Sequence, residues 1–264
     1  MARALIAALR RAGHPADRIA VGEPSQSQRE LLAAESGVAA VADNAEAVRG
    51  AGAVVLAVKP QDMAQVVTPL RGELAAGAPV VLSVAAGLRV ADLAAFCGAG
   101  ARIVRAMPNR PAFVGAGATG LFAGPGVDAR DRERCEWIMA AAGRIAWIDD
   151  ESLMDAVTAL SGSGPAYFFL LAEALAEAGV AQGLPPETAR RLAAATLHGA
   201  GMMAAGDDVD LARLRTEVTS RGGTTEAALR ALESAGFRAA VSSAVAAATE
   251  RGRELSRQFG RPGT

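Results

Sequence analysis

Ala53-Val54-Val55-Leu56-Ala57-Val58-Lys59-Pro60-Gln61 opens with six apolar residues, three of them valine, and is halted by a proline. Such a run reads as a strand buried on both faces, and proline, with no N–H to give to a ladder, ends it. Working outward, similar runs recur at Ile19 to Gly22, Val80 to Val84, Arg102 to Ala106, Thr119 to Phe122 and Ile145 to Ile148. Amphipathic stretches at Ser27 to Ser36, Asp62 to Leu74, Val90 to Cys97 and Asp128 to Ala142 lie between them. This alternation predicts a parallel sheet with helices on both faces.

After Asp149-Asp150 the strand pattern stops. Ala/Leu-rich helical segments follow, punctuated by Ser161-Gly162-Ser163-Gly164-Pro165, Gly183-Leu184-Pro185-Pro186 and Ser220-Arg221-Gly222-Gly223-Thr224-Thr225. The chain is therefore expected to divide into an α/β domain over residues 1–150 and an all-α domain over residues 151–264. The segment from Pro165 to about Ala181 carries Tyr167, Phe168, Phe169, Leu170, Leu171, Leu175 and Val180, apolar on nearly every helical face. A helix of that kind must be covered all round, which points to a subunit interface.

Composition narrows the function. With 264 residues, 51% of them hydrophobic, the chain can bury a large core. Its 27 basic and 28 acidic residues leave a net charge of -1, so no electrostatic footprint for nucleic acid or an anionic membrane is present. Cys97 and Cys135 sit in separate apolar helical stretches and read as reduced core thiols, and neither they nor His14 and His198 have metal-ligand spacing, so no metal is expected. No apolar run approaches the roughly 18 residues of a membrane span, and the opening residues are too short for a secretory signal, so a cytoplasmic protein is expected.

In a doubly wound sheet the first strand leads through a glycine-rich turn into a helix whose N-terminus receives a pyrophosphate. Here Met1 to Ala12 already reads as an amphipathic helix closed by Gly13, with Leu5, Ile6 and Leu9 on one face. Arg18-Ile19-Ala20-Val21-Gly22-Glu23 then reads as the second strand, with an acid at its end. The expected fold is an α/β Rossmann-like N-terminal domain whose first strand is missing from this chain, followed by an all-α dimerisation domain. Met1 is read as an internal methionine of a product that starts about two dozen residues earlier, with a truncated protein as the alternative.

Ala57 to Gln61, Ser83-Val84-Ala85-Ala86-Gly87 and Met107-Pro108-Asn109 each close a strand on the edge where open α/β sheets bind ligands. One such loop is an ordinary turn; three on one edge point to a nucleotide. Glu23 suits an adenosine ribose hydroxyl and hence NADH, whereas Ser25, Ser27 and Arg29 suit a 2′-phosphate and hence NADPH. Either serine serves equally well as a helix cap. In the helical half, Ser161 to Pro165 and Ser220 to Glu226 each lead into a helix. Their glycines permit a backbone nest and the helix dipole favours an anion, so either loop can hold a carboxylate without a buried cation.

Asp155-Ala156-Val157-Thr158-Ala159-Leu160-Ser161-Gly162-Ser163-Gly164-Pro165-Ala166-Tyr167 and Val218-Thr219-Ser220-Arg221-Gly222-Gly223-Thr224-Thr225-Glu226 closely resemble the signatures of the pyrroline-5-carboxylate reductase family. Ala57 to Gln61, Arg105 to Asn109 and Glu233-Ser234-Ala235-Gly236-Phe237-Arg238 are similar to family segments in the same order, so the likeness spans essentially the whole chain. Met1-Ala2 resembles the end of the family's glycine-rich turn. Arg110 stands where the family usually has threonine, and Arg221 where proline is common.

The resemblance implies reduction of 1-pyrroline-5-carboxylate to L-proline by NADPH, with NADH as a possible donor, in a homodimer or larger homo-oligomer such as a decamer. It implies that Thr225 donates or relays a proton to the ring nitrogen, helped by a water. It also implies that backbone amides around Ser220, Gly222, Gly223 and Thr224 hold the substrate carboxylate, together with Ser161 and Ser163. The cofactor-binding positions it implies are Met1, Ala2, Glu23, Ser25, Asn44, Ala57, Val58, Lys59, Pro60, Met107, Pro108 and Asn109. A hydroxy-acid reductase of the same architecture normally carries a catalytic lysine in the helical half, and the only lysine here is Lys59. Outside the enzymes, the alternative is a catalytically inactive dimeric binding or regulatory homologue.

Overall fold

The computed structural model describes residues 1–206 and 208–260. They form two compact units, one of Met1–Ser163 joined by the chain from Ala247, the other Gly164–Ala246. In chain order the first unit holds α1 (Ala2–Arg11), β1 (Ala20–Gly22), α2 (Gln26–Ser36), β2 (Ala39–Val41), α3 (Asn44–Val48), β3 (Ala53–Leu56), α4 (Met63–Val67) and α5 (Arg71–Gly77). It continues with β4 (Val80–Ser83), α6 (Val90–Cys97), β5 (Arg102–Met107), β6 (Gly117–Ala123), α7 (Ala129–Ala140), β7 (Gly143–Trp147) and α8 (Met154–Val157).

β3 to β7 make one five-stranded sheet in sequence order, and β1 pairs with β2 in a separate two-stranded sheet. Valine and leucine alternate across the larger sheet as a two-residue period requires. Val80, Leu82, Val104 and Ala106 face α1 and α7, where they meet Ala4, Leu5, Ala8, Cys135 and Met139. Val54, Leu56, Val81 and Ile103 face the other way, towards Met63, Val67, Leu88, Leu93 and Phe96. Each such buried aliphatic side chain contributes about 1.5–3 kcal/mol, so both layers are firmly held. Helix α1 also gives Ile6 to a third cluster with Leu32 and Val38, and is thus packed into the cores of both sheets.

The sequence expectation of a parallel sheet needs one correction. β5 and β6 run antiparallel, while the other neighbours in both sheets are parallel. The link Pro108 to Ala116 is too short for the crossover helix that a parallel return demands; it folds as a 3₁₀ turn over Arg110–Val114. The helix expected over Asp62 to Leu74 is also divided, because Pro69 cannot donate to an α-helical ladder and the chain tightens to 3₁₀ over Thr68–Leu70.

The second unit contains α9 (Gly164–Ala181), α10 (Pro186–Met203), α11 (Leu211–Glu217), α12 (Thr224–Ser234) and the start of α13 (Phe237–Phe259). A tight turn at Gly183, φ +95, folds α10 back on α9, and Gly179 brings Ala189 close to the α9 backbone. Within α9 only Gly164 and Ala176 are buried, while Phe168, Phe169, Leu170 and Leu175 are exposed. Among the described residues no strand follows Trp147, and Glu151 to Ser163 are part of the first compact unit. Among the described residues no helix is long and apolar enough to cross a membrane.

Candidate active site

Because β3, β4 and β5 are parallel neighbours, the loops that leave their carboxyl ends emerge side by side. These are Ala57 to Pro60, Ser83 to Gly87, and Met107 to Asn109, the three loops singled out from sequence. Pro60 starts a 3₁₀ turn with Lys59 as its N-cap. Gly87, φ +79, lies against the last turns of α13, with Phe259 Cδ2 3.6 Å from where its Cβ would be, so the returning helix braces the middle loop.

At the end of β1, Glu23 Oε1 accepts from Ser25 N at 2.9 Å, and Arg29 Nη1 donates to the carbonyls of Glu23 and Pro24, both at 2.8 Å. Ser25 stands at the N-cap position of α2 but makes no side-chain capping bond; its Oγ lies 3.1 Å from that of Ser27. Two exposed hydroxyls and a guanidinium thus surround a helix start. Asn44 is brought to the same place, its side chain pressed against Gly22, where any Cβ would collide with it. Met1 caps α1 by position alone, with Ala2 as the first helical residue.

The Ser161-Gly162-Ser163 segment follows α8 through a π turn over Thr158–Gly162, closed by Ser163 N donating to Thr158 O at 2.8 Å. Single π turns of this kind recur at functional sites. Gly162 lies where a Cβ would come 2.6 Å from Met107 Cε, and Gly120 where one would come 2.5 Å from Val157 Cγ1, so glycines let this segment settle on β5 and β6. Asn109, 8% exposed, uses both ends of its amide internally: Oδ1 accepts from Ala118 N at 2.9 Å and Nδ2 donates to Ser161 O at 3.0 Å. Its main-chain carbonyl accepts from Ala112 N at 3.2 Å at the start of the 3₁₀ turn.

In the second unit, Gly223 N donates to Ser220 O at 3.1 Å, which closes a turn with Gly222 at φ +73. A positive φ at the third position, with Arg221 at the second not at positive φ, is the pattern of a type II rather than a type I′ turn and favours glycine at 222. At Gly223 a Cβ would meet the Ser220 hydroxyl, which would have to turn away to admit it. Gly223 then caps α12, which begins at Thr224, so Thr225 lies in its first turn. Glu226 Oε2 accepts from Gly222 N at 2.8 Å, a carboxylate seated on the turn's own amide. Ser220, Gly222, Gly223, Thr224 and Thr225 thus lie in this one turn and the helix start that follows it.

Sequence reasoning missed Glu151. Its Oε1 accepts from Arg105 Nη1 at 2.8 Å and from Val90 N at 2.7 Å, which ties β5, the start of α6 and the approach to α8 into one knot. The three partners are dispersed along the chain, so no spacing rule could have joined them. The two thiols take no part: burial pushes Cys97 up to about 11 and, with the nearby Asp131 charge adding to it, Cys135 up to about 12.

Residues 151–255 match the family model described as pyrroline-5-carboxylate reductase dimerisation, and residues 1–87 match one described as NADP oxidoreductase, coenzyme F420-dependent. A pyrroline-5-carboxylate reductase of Pseudomonas aeruginosa is 45% identical over 260 residues, 98% of this chain and 95% of that protein. The chain belongs to the pyrroline-5-carboxylate reductase family. The solved structure of the Coxiella burnetii pyrroline-5-carboxylate reductase superposes with a TM-score of 0.93 at 40% identity, covering 96% of this chain and 94% of that one. A Plasmodium falciparum pyrroline carboxylate reductase with NADP bound follows at 0.80 and 30%, covering 96% and 93%. The Rossmann-like fold with a helical dimerisation domain is thus that of the pyrroline-5-carboxylate reductases, and the reading as an inactive binding homologue is not favoured. Of the two departures from the family's usual residues, Arg110 places its guanidinium 5.8 Å from the centre of the Phe113 ring, and Arg221 occupies the second position of the Ser220–Gly223 turn.

Proposed function

We propose that the chain reduces 1-pyrroline-5-carboxylate to L-proline, with the Ser220–Thr225 turn gripping the substrate and with NADPH preferred over NADH. The observation that carries the substrate assignment is the carboxylate of Glu226 on Gly222 N. A main-chain N–H that donates to one carboxylate suits another, and on exchange Glu226 falls back on Arg230, whose Nη2 lies 3.4 Å from it. Amides around Ser220, Gly222, Gly223 and Thr224 hold the ring carboxylate, reinforced by the N-terminal dipole of α12. Ser161 and Ser163 belong to the same substrate-binding set.

A bound nicotinamide supplies the hydride for the imine carbon. Thr225 hydrogen-bonds the ring nitrogen; its hydroxyl is too weak an acid to act alone, so a water behind it completes proton delivery. Ala57, Val58, Lys59, Pro60, Met107, Pro108 and the main chain of Asn109 line the cofactor side. Met1 and Ala2 offer helix-start amides to the pyrophosphate, Asn44 and Glu23 face the adenosine end, and the Ser25, Ser27 and Arg29 cluster supports a 2′-phosphate. The fit of that cluster, polar and uncommitted to capping, is what favours NADPH.

The working unit is a homodimer joined through the part of the chain that matches the dimerisation family model, residues 151–255, with further assembly to a decamer. Reduced, buried Cys97 and Cys135 accord with the cytoplasm.

The test is pyrroline-5-carboxylate-dependent oxidation of NADPH and of NADH, with proline as product. Thr225→Ala should lower kcat about tenfold to a hundredfold while the Kd for NADPH changes by less than about twofold. Unchanged turnover would remove Thr225 from its role, and wild-type protein that leaves the imine untouched with both donors would overturn the assignment.

A further inference from the structure

Ser161 presents a hydrogen-bonding problem that the sequence itself creates. In an α-helix its carbonyl would accept from the residue four positions on, but that residue is Pro165, which has no N–H. The chain departs from α geometry at this point, running through the π turn of Thr158–Gly162. A carbonyl without its helical donor, partly buried, costs free energy unless another group supplies the bond. Asn109 Nδ2 does so at 3.0 Å, from 52 residues earlier in the chain. The orientation of the amide is fixed by its other end, because Ala118 N needs an acceptor and finds Asn109 Oδ1 at 2.9 Å. A flipped amide would set donor against donor and acceptor against acceptor.

We infer that Asn109 is a positioning residue: it acts through Ser161, fixing the Ser161–Ser163 turn against the Met107–Asn109 loop, rather than by touching the cofactor with its side chain. The inference deepens the function proposed above, since it links the loop assigned to the cofactor to the serines assigned to the substrate. Gly162 completes the lock, sitting where a side chain would strike Met107 Cε. Aspartate in place of Asn109 keeps the shape and the acceptor for Ala118 but sets an anion against the Ser161 carbonyl. Leucine leaves both partners unsatisfied.

The experiment uses the full chain as Asn109→Asp, Asn109→Ala, Pro165→Ala and Asn109→Ala/Pro165→Ala. Hydrogen exchange over residues 158–166 and steady-state kinetics are measured for each. For Asn109→Asp the expected results are exchange in that segment faster by about tenfold and kcat/KM for the imine lower by about tenfold to a hundredfold, with NADPH affinity nearly unchanged. Pro165→Ala returns an N–H four residues after Ser161, so Asn109→Ala should cost less in that background, and this double variant also guards against a single variant that fails to fold.

Three outcomes would overturn the inference: unaltered exchange in Asn109→Asp, loss of NADPH binding in step with kcat/KM, or an equal penalty for Asn109→Ala in both backgrounds. Exchange is read without substrate. Inactivity of the wild-type protein would therefore refute the proposed reaction and leave this result standing by itself.

Discussion

Arg221 sits at the second position of the Ser220–Gly223 turn, before Gly222 at φ +73. A type II turn sets that position near the φ that proline already has, and its N–H is not the one that closes the turn. Arg221→Pro should therefore stabilise the protein by about 0.4–1 kcal/mol, by restricting the unfolded chain, and raise Tm by about 1–3 °C. A fall in Tm would mean that the backbone at 221 is not the one a type II turn requires. Gly222 is legible in the sequence because its positive φ leaves little alternative. Asn109 is legible as a polar residue after a strand, but not as the partner of Ala118 and Ser161, since only folding brings those atoms together.

The cysteines give a second residue-scale expectation. An unfolded thiol releases its proton near 9.0, whereas burial holds Cys97 to about 11 and Cys135 to about 12. The folded form thus keeps protons that the unfolded form sheds. Stability from this source is whole below pH 9 and is lost as pH rises through the folded values. Neither thiol should react with an aromatic disulfide at pH 8 until denaturant is added. Stoichiometric labelling of native protein would contradict the burial of both.

Elements were read from sequence where periodicity and caps agree. Val90–Cys97 begins and ends where expected, and Ala129–Ala140 starts after an Asp128 that accepts from Asp131 N. β2 escaped because Ala39-Ala40-Val41 has little strand character of its own and is held by pairing with β1. The antiparallel β6 escaped because direction is set by the length of a link rather than by the pattern of a strand.

What joins elements is harder still to read, and Glu151 is the case in point. The Arg105 side chain is 7% exposed and that of Glu151 26%. Removing the acid strands a buried guanidinium and an orphan amide at the start of α6. Glu151→Ala should cost about 2–3 kcal/mol, less than for a fully buried pair because Glu151 retains some solvent. Replacing both partners, as Arg105→Met/Glu151→Leu, should recover most of that loss. Denaturant midpoints for the single and double variants decide it: an equal loss in both would point to packing or to the Val90 amide, which loses its acceptor in each, rather than to the stranded charge.

At the scale of the whole molecule, α9 is the element that one chain leaves unfinished. Phe168, Phe169 and Leu170 are 58%, 61% and 65% exposed within a small helical unit that has no spare layer to cover them. Contiguous apolar surface of this kind marks an interface, and the dimerisation family model covers it. Burial against a second copy would return about 1.5–3 kcal/mol for each large side chain, whereas a carboxylate at the same place would be desolvated without a partner. Leu170→Glu should therefore shift the protein from oligomer to monomer in light scattering. Wild-type Tm should rise with protein concentration, as it does when association stabilises the folded form, and the variant's Tm should not. The variant should also lose imine reduction, if the substrate turn works only in the assembled protein. A Leu170→Glu protein that stays oligomeric, with its Tm still climbing with concentration, would move the interface off α9.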